Sequence, residues 1–100
     1  MIELNLDKPY VRLSEKMTSN NDLLYYETIG KIVYIDKKAD LVVYKIIAWQ
    51  SIISNNELIW AYNETNDDYN ITYSKFINIV SEQYTEEEFC IKYFDVLLKK

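Results

Sequence analysis

The sequence predicts an α+β fold, in which a small antiparallel sheet packs with two C-terminal helices. Strand-like periodicity and β-branched residues dominate the first half of the chain, and helical periodicity dominates the last third. With 100 residues, of which 49% are hydrophobic, the chain is long enough for one hydrophobic core and too short for two. We therefore expect a single α+β domain over residues 1–100.

The N-terminal part is expected to supply the first strand. Apolar and polar residues alternate over 2–7, which is typical of a half-buried strand. After Pro9, residues 10–13 are expected to resume this strand at an edge of the sheet, where proline is tolerated. Residues 14–22 are polar and are interpreted as a loop, and 23–29 suits either a strand or a short helix.

The clearest strand signal lies within residues 31–49, where two runs rich in β-branched and aromatic residues occur at 31–35 and 41–47. The polar residues 36–40 between them have the length of a hairpin loop, so we predict an antiparallel hairpin. Residues 57–62 are expected to add a further strand, with a helix as the alternative.

Two helices are predicted in the last third of the chain. Apolar side chains at helical spacing predict the first helix over about 73–84, with Thr72 as its N-cap. The second is predicted over about 86–98, because Thr85 and Glu88 have the spacing of a capping box. Its expected apolar face consists of Phe89, Tyr93, Phe94, Val96 and Leu97, with Cys90 interpreted as a small core residue.

The composition argues against an enzyme. The chain has no histidine, one cysteine and one glycine, so it lacks the usual general base and any phosphate-binding glycine loop. Glu64, Asn66 and Asp68 match the first positions of a calcium-binding loop. However, Tyr69 stands where the required glycine would be, and Lys75 where the bidentate glutamate would be. We expect no cofactor and no metal site.

Charge is distributed unevenly along the chain. Residues 1–50 contain seven acidic and seven basic side chains, whereas 51–100 contain nine acidic and four basic ones and so carry the whole net charge of −5. An acidic segment of this kind favours a partner with a basic surface. Direct nucleic-acid binding is not expected, because it requires the opposite charge.

We therefore predict a non-enzymatic protein-binding module that inhibits a nucleic-acid-handling protein, such as a nuclease, by competing for its basic groove. This profile is typical of phage anti-restriction or anti-CRISPR proteins and of nuclease-toxin immunity proteins. The expected contact residues are acidic, apart from one tyrosine: Glu57, Glu64, Asp67, Asp68, Tyr69, Glu82, Glu86 and Glu87.

An alternative is a small structural or regulatory subunit that forms homodimers, with the acidic face serving only solubility. No apolar run approaches the roughly 20 residues of a membrane span, so no membrane association is expected. The N-terminus has no secretory pattern, which favours the cytoplasm of a bacterial or phage-infected cell.

Overall fold

A computed structural model of the protein describes residues 3–19, 22–52 and 58–98. Within these ranges the strands are β1 (Tyr10–Ser19), β2 (Asp22–Asp36), β3 (Leu41–Ile52), β4 (Leu58–Tyr62), β5 (Tyr69–Ile71) and β6 (Val80–Tyr84). The helices are α1 (Tyr73–Ile79), α2 (Glu86–Lys92) and α3 (Phe94–Leu98). The predicted α+β class is confirmed.

The strands form one antiparallel sheet in the order β4-β3-β2-β1-β6. β4 pairs with β3 along residues 48–52, and β5 pairs with β3 along residues 42–44. β4 and β5 therefore lie at one edge of the sheet and β6 lies at the other. β1 lies inside the sheet, where it pairs with both β2 and β6.

The alternation of side chains along β1 divides the core between the two faces of the sheet. Val11 and Leu13 pack in one cluster with Phe76 of α1. Tyr10 points to the opposite face, where its ring stacks on Phe89 of α2 with 4.6 Å between ring centroids. Helix α1 thus covers one face of the sheet, and α2 with α3 covers the other.

The hairpin predicted within 31–49 is confirmed. β2 and β3 pair antiparallel between Thr28↔Trp49 and Asp36↔Leu41, and residues 37–40 connect them. Asp40 ends the turn at a φ of 53°, in the left-handed region that aspartate tolerates better than most residues. The strand predicted over 57–62 is confirmed as β4 over its described residues. Residues 23–29 belong to β2.

The strand predicted over 2–7 is wrong for its described residues, which form turns and irregular backbone. The side-chain amide of Gln83 supplies the hydrogen bonds that a neighbouring strand would have provided. It donates to the carbonyls of Asn5 and Lys8 at 3.0 Å and accepts from the Asn5 amide at 3.2 Å. Leu4 is nevertheless buried, so the apolar pattern indicated burial without strand pairing.

The loop predicted over 14–22 is also wrong for its described residues, because residues 14–19 belong to β1 and β2 begins at Asp22. Backbone pairing between β1 and β2 extends from Tyr10↔Lys31 to Ser19↔Asp22. Such pairing needs no apolar side chain, which is why hydropathy did not reveal it. The edge position expected for 10–13 is wrong too, since β1 is an interior strand.

The helix predicted over 73–84 is shorter than expected, with seven residues rather than about twelve. Thr72 caps α1 as predicted, by accepting a hydrogen bond from the Lys75 amide at 3.2 Å. The helix then ends at Ile79, and Val80 has an extended backbone. Residues 80–84 pair with β1 instead. This tertiary pairing overrides the helical spacing of Val80 and Tyr84. A bulge at Ser81, where the pairing with β1 shifts register, places the two side chains in clusters on opposite faces of the sheet.

The helix predicted over 86–98 is confirmed in position but is divided into α2 and α3 by Tyr93, whose backbone departs from helical geometry. The predicted capping box is present. The Thr85 hydroxyl accepts from the Glu88 amide at 3.2 Å, and the Glu88 carboxylate accepts from the Thr85 amide at 3.0 Å. Among the described helices, none is long and apolar enough to cross a membrane.

Replacing Thr85 with alanine removes the hydroxyl that caps α2. We expect Thr85→Ala to lower the free energy of unfolding by about 1 kcal/mol, as measured by urea titration. Thr85→Ser keeps the hydroxyl and should stay close to the wild type. Equal losses in the two variants would contradict the capping role.

Gly30 lies beside a register shift between β2 and β3. A Cβ added there would collide with the backbone carbonyl oxygen of Lys45, so the two strands would have to separate. We expect Gly30→Ala to destabilise the fold by roughly 1–3 kcal/mol. The neighbouring exposed substitution Lys31→Ala is the control. Equal unfolding midpoints for both variants would show that the strands accommodate the methyl group.

Candidate protein-binding surface

An aromatic cluster holds the C-terminal helices on the sheet. Phe89 stacks on Tyr10, and its ring centroid lies 5.0 Å from that of Tyr93. Tyr93 makes edge-to-face contacts with Tyr84 at 5.8 Å and Trp60 at 6.0 Å. Stacked and edge-to-face contacts are the favourable geometries for aromatic pairs, and each requires a particular angle between the two ring planes. They therefore fix which side of α2 and α3 faces the sheet.

A polar network lies next to this cluster. The Arg12 guanidinium donates to the Glu27 carboxylate at 2.9 Å and to the Tyr93 hydroxyl at 3.3 Å. Partial burial alone would lower the pKa of Arg12, but the hydrogen bonds to Glu27 and Tyr93 raise it above its usual value. The Ser14 hydroxyl donates to the same carboxylate. The network connects β1, β2 and the junction between α2 and α3.

A second polar group joins β6 to α2. The Tyr84 hydroxyl donates to the Glu82 carboxylate at 2.7 Å, and the Lys92 ammonium lies 3.5 Å from that carboxylate. The hydrogen bond from Tyr84 lowers the pKa of Glu82. Burial of Tyr84, together with its hydrogen bonds to Tyr93 and Glu82, strongly raises the pKa of its phenol. Tyr84, Glu82 and Lys92 thus interact with one another and connect α2 to β6.

The opposite side of α2 and α3 carries three large apolar side chains in solvent. Ile91, Phe94 and Leu98 are exposed to 72%, 58% and 66%. Hydrogen bonds from the Tyr93 amide to the Phe89 carbonyl and from the Leu97 amide to the Tyr93 carbonyl continue the helical path through the junction of α2 and α3. At about 100° per residue, Ile91, Phe94 and Leu98 then fall within about 60° of one another around this path. Glu87 and Asp95, which are also exposed, share this side. We call these five residues the outer face.

Two further carboxylates stand at the beginning of α2. Glu86 precedes the outer face, and Glu88 belongs to the capping box. The backbone and hydroxyl hydrogen bonds from Thr85 lower the pKa of Glu88. In the described part of the chain, neither Glu86 nor Glu87 forms an ion pair. Both are therefore available to a partner.

The other predicted contact residues lie elsewhere. Glu64, Asp67 and Asp68 are exposed between β4 and β5. The Asp68 carboxylate pairs with Lys45 of β3 at 2.8 Å, so part of this charge is neutralised within the chain. Tyr69 begins β5 and is partly exposed, with its ring centroid 5.8 Å from that of Tyr44.

The strand order separates these residues into two groups. Asp68 is tied to β3, whereas Glu82 lies on β6 and Glu86 and Glu87 follow β6 directly. With β2 and β1 between β3 and β6, the distance across the sheet is about 14 Å at the usual strand spacing. The acidic residues therefore occupy two edges of the molecule rather than one continuous patch. Glu57 lies outside the described residues.

The outer face does not follow from the sequence pattern. That pattern predicts Phe94 on the buried side of the helix and Cys90 in the core, whereas both residues are exposed. Ile91, Phe94 and Leu98 are spaced by three and four residues, which is a second apolar stripe at helical spacing. The stripe that contains Phe89 and Tyr93 has more apolar residues, so the pattern predicts it as the only apolar side of the helix. Of the two hairpin tyrosines, Tyr44 packs on Phe76, whereas Tyr34 is exposed.

No group of three or more Cys, Asp or Glu side chains within the described ranges converges in a way that would hold a metal ion. In the comparisons with known proteins, no family model matches the chain, and no curated protein or solved structure matches it either. The surface geometry is therefore the basis for any functional proposal.

The raised pKa of Tyr84 predicts how stability responds to alkali. The unfolded phenol ionises near pH 10, whereas the folded one stays protonated to higher pH. The unfolded state thus loses its proton first, and the free energy of unfolding falls as pH rises above about 10. Tyr84→Phe should make this fall shallower in urea titrations from about pH 8 to about pH 11. A wild-type slope in the variant would contradict the assignment.

Proposed function

We propose that this protein is a non-enzymatic, acidic protein-binding module whose outer face docks on a positively charged surface of a partner. The observation that carries the proposal is the exposure of Ile91, Phe94 and Leu98 on one side of α2 and α3, bordered by carboxylates. Protein interfaces commonly combine an apolar centre with a polar rim. The outer face has this composition.

The charge around the outer face indicates the class of partner. Residues 86–98 contain four acidic side chains and one basic one. Clefts lined with basic residues are typical of proteins that bind phosphates of nucleic acids. The proposed role is therefore inhibition of a nucleic-acid-handling protein, such as a nuclease, by occupation of the groove that phosphates would use.

The proposed inhibition also indicates the kind of cell in which the protein would act. Phage anti-restriction and anti-CRISPR proteins and immunity proteins of nuclease toxins would act in this way in the cytoplasm of a bacterial or phage-infected cell. Glu64 and Asp67, at the other edge of the sheet, add to the long-range attraction. They would affect the rate of encounter more than the strength of the docked complex.

A second candidate is a subunit that self-associates through the β4 edge of the sheet. The observation that favours it is Ile59, which is 44% exposed on this edge strand. Edge strands with exposed apolar residues are prone to pair with another chain. In this alternative the acidic residues only maintain solubility.

The test begins with copurification of partners from the native host and continues with a displacement assay. We expect the wild-type protein to release a labelled oligonucleotide from the purified partner. In Glu86→Lys/Glu87→Lys the association rate with the partner should fall roughly ten-fold at low salt, because electrostatic steering is reversed. The wild-type rate should itself fall as salt rises, since the Debye length shrinks to about 8 Å at 0.15 M.

Glu3→Lys/Asp7→Lys, in the half of the chain without net charge, is the matched control and should bind like the wild type. Glu64→Lys/Asp67→Lys should have a smaller effect, confined to the association rate. If the three double variants bind equally well, or if the partner retains its oligonucleotide, the proposed function is wrong.

A further inference from the structure

The apolar side chains of the outer face form a stripe along the helix axis. Residues 91–98 span about 10 Å at 1.5 Å per residue. The exposed side chains lie on successive turns, so they follow the axis of α2 and α3. Two turns of another helix, with apolar residues at positions i, i+3 or i+4, and i+7, present a stripe of the same length.

The charges next to the stripe disfavour an acidic occupant. Glu87 lies one turn before Ile91, and Asp95 lies between Phe94 and Leu98 in the sequence. Among the described residues, neither carboxylate has an ion-pair partner. A segment with lysine or arginine beside its apolar residues would compensate both carboxylates, whereas an acidic segment would be repelled.

The area of the stripe disfavours a second copy of this chain. Three side chains of this size expose on the order of 400 Å² of apolar surface, about half of the roughly 800 Å² per partner in a standard interface. Two copies related by a two-fold axis would also bring their own carboxylates together. A single helical segment requires less area and supplies the opposite charge.

We propose that the outer face binds an amphipathic helix that carries basic residues beside its apolar stripe. The inference rests on the proposed function and deepens it, because it states which element of the basic partner docks. Binding of this kind places the apolar side of one helix against an apolar surface, and the flanking charges set its orientation.

The experiment is an NMR titration of the ¹⁵N-labelled full chain with three synthetic peptides of about 16 residues, a length that becomes helical on docking. The first peptide has leucines at i, i+3, i+4 and i+7 with lysines between them. The second has the same composition with the leucines scattered around the helix. The third keeps the leucine pattern and replaces lysine with glutamate.

We expect the first peptide to bind at least ten-fold more tightly than the other two and to shift the resonances of residues 86–98. Phe94→Ser/Leu98→Ser should weaken this binding at least ten-fold, while circular dichroism shows an intact fold. The matched control is Ile59→Ser, which alters an exposed apolar residue on β4 and should bind like the wild type.

Equal affinity for the first two peptides would show that charge alone attracts them and would overturn the proposal. A wild-type dimer that Phe94→Ser/Leu98→Ser converts to a monomer in sedimentation would also overturn it, because a second copy would then cover the stripe. If no peptide binds but the displacement assay depends on Glu86 and Glu87, the helix proposal fails and the proposed function stands. Peptide binding without any oligonucleotide displacement would support the helix proposal and reject the proposed inhibition.

Discussion

The packing of Phe89 and Tyr93 on the sheet determines which side of the C-terminal helices faces solvent. Phe89 is almost completely buried against Tyr10, and burial of a side chain of this size contributes about 1.5–3 kcal/mol. Rotation of α2 would expose this ring and break the contacts of Tyr93 with Tyr84 and Trp60. Because Ile91 lies about 160° from Phe89 around the helix, fixing the inner side also fixes the outer face.

The sheet supports this arrangement by keeping its two faces distinct. β1 contributes Val11 and Leu13 to the cluster under α1, and Tyr10 to the cluster under α2. β6 belongs to the sheet that separates the two helical layers, and residues 80–85 connect α1 directly to α2. Both helical layers therefore depend on β1, the interior strand that contributes side chains to each cluster. The hydroxyl of Tyr62 donates a hydrogen bond to the carbonyl of Val96, and this bond attaches α3 to the β4 edge of the sheet.

Local signals in the sequence were sufficient for part of this structure. The hairpin within 31–49 and the caps at Thr72 and Thr85 follow from residues close together in the chain, and all were predictable. The end of α1 was not, because Val80 leaves the helix to pair with Leu13 of a distant strand. The outer face was missed for a related reason. Periodicity identifies apolar stripes, but only packing decides which of two stripes on one helix is buried.

The proposed function requires Ile91, Phe94 and Leu98 to lie in solvent while Phe89 lies against the sheet. NMR relaxation in the presence of a soluble paramagnetic probe tests this arrangement directly. We expect strong broadening of the Ile91 and Leu98 methyl signals and of the Phe94 ring, whereas the methyls of Val11 and Leu13 and the ring of Phe89 should be protected. Protection of Ile91 and Leu98 to the same degree as Leu13, or broadening of Phe89, would contradict it.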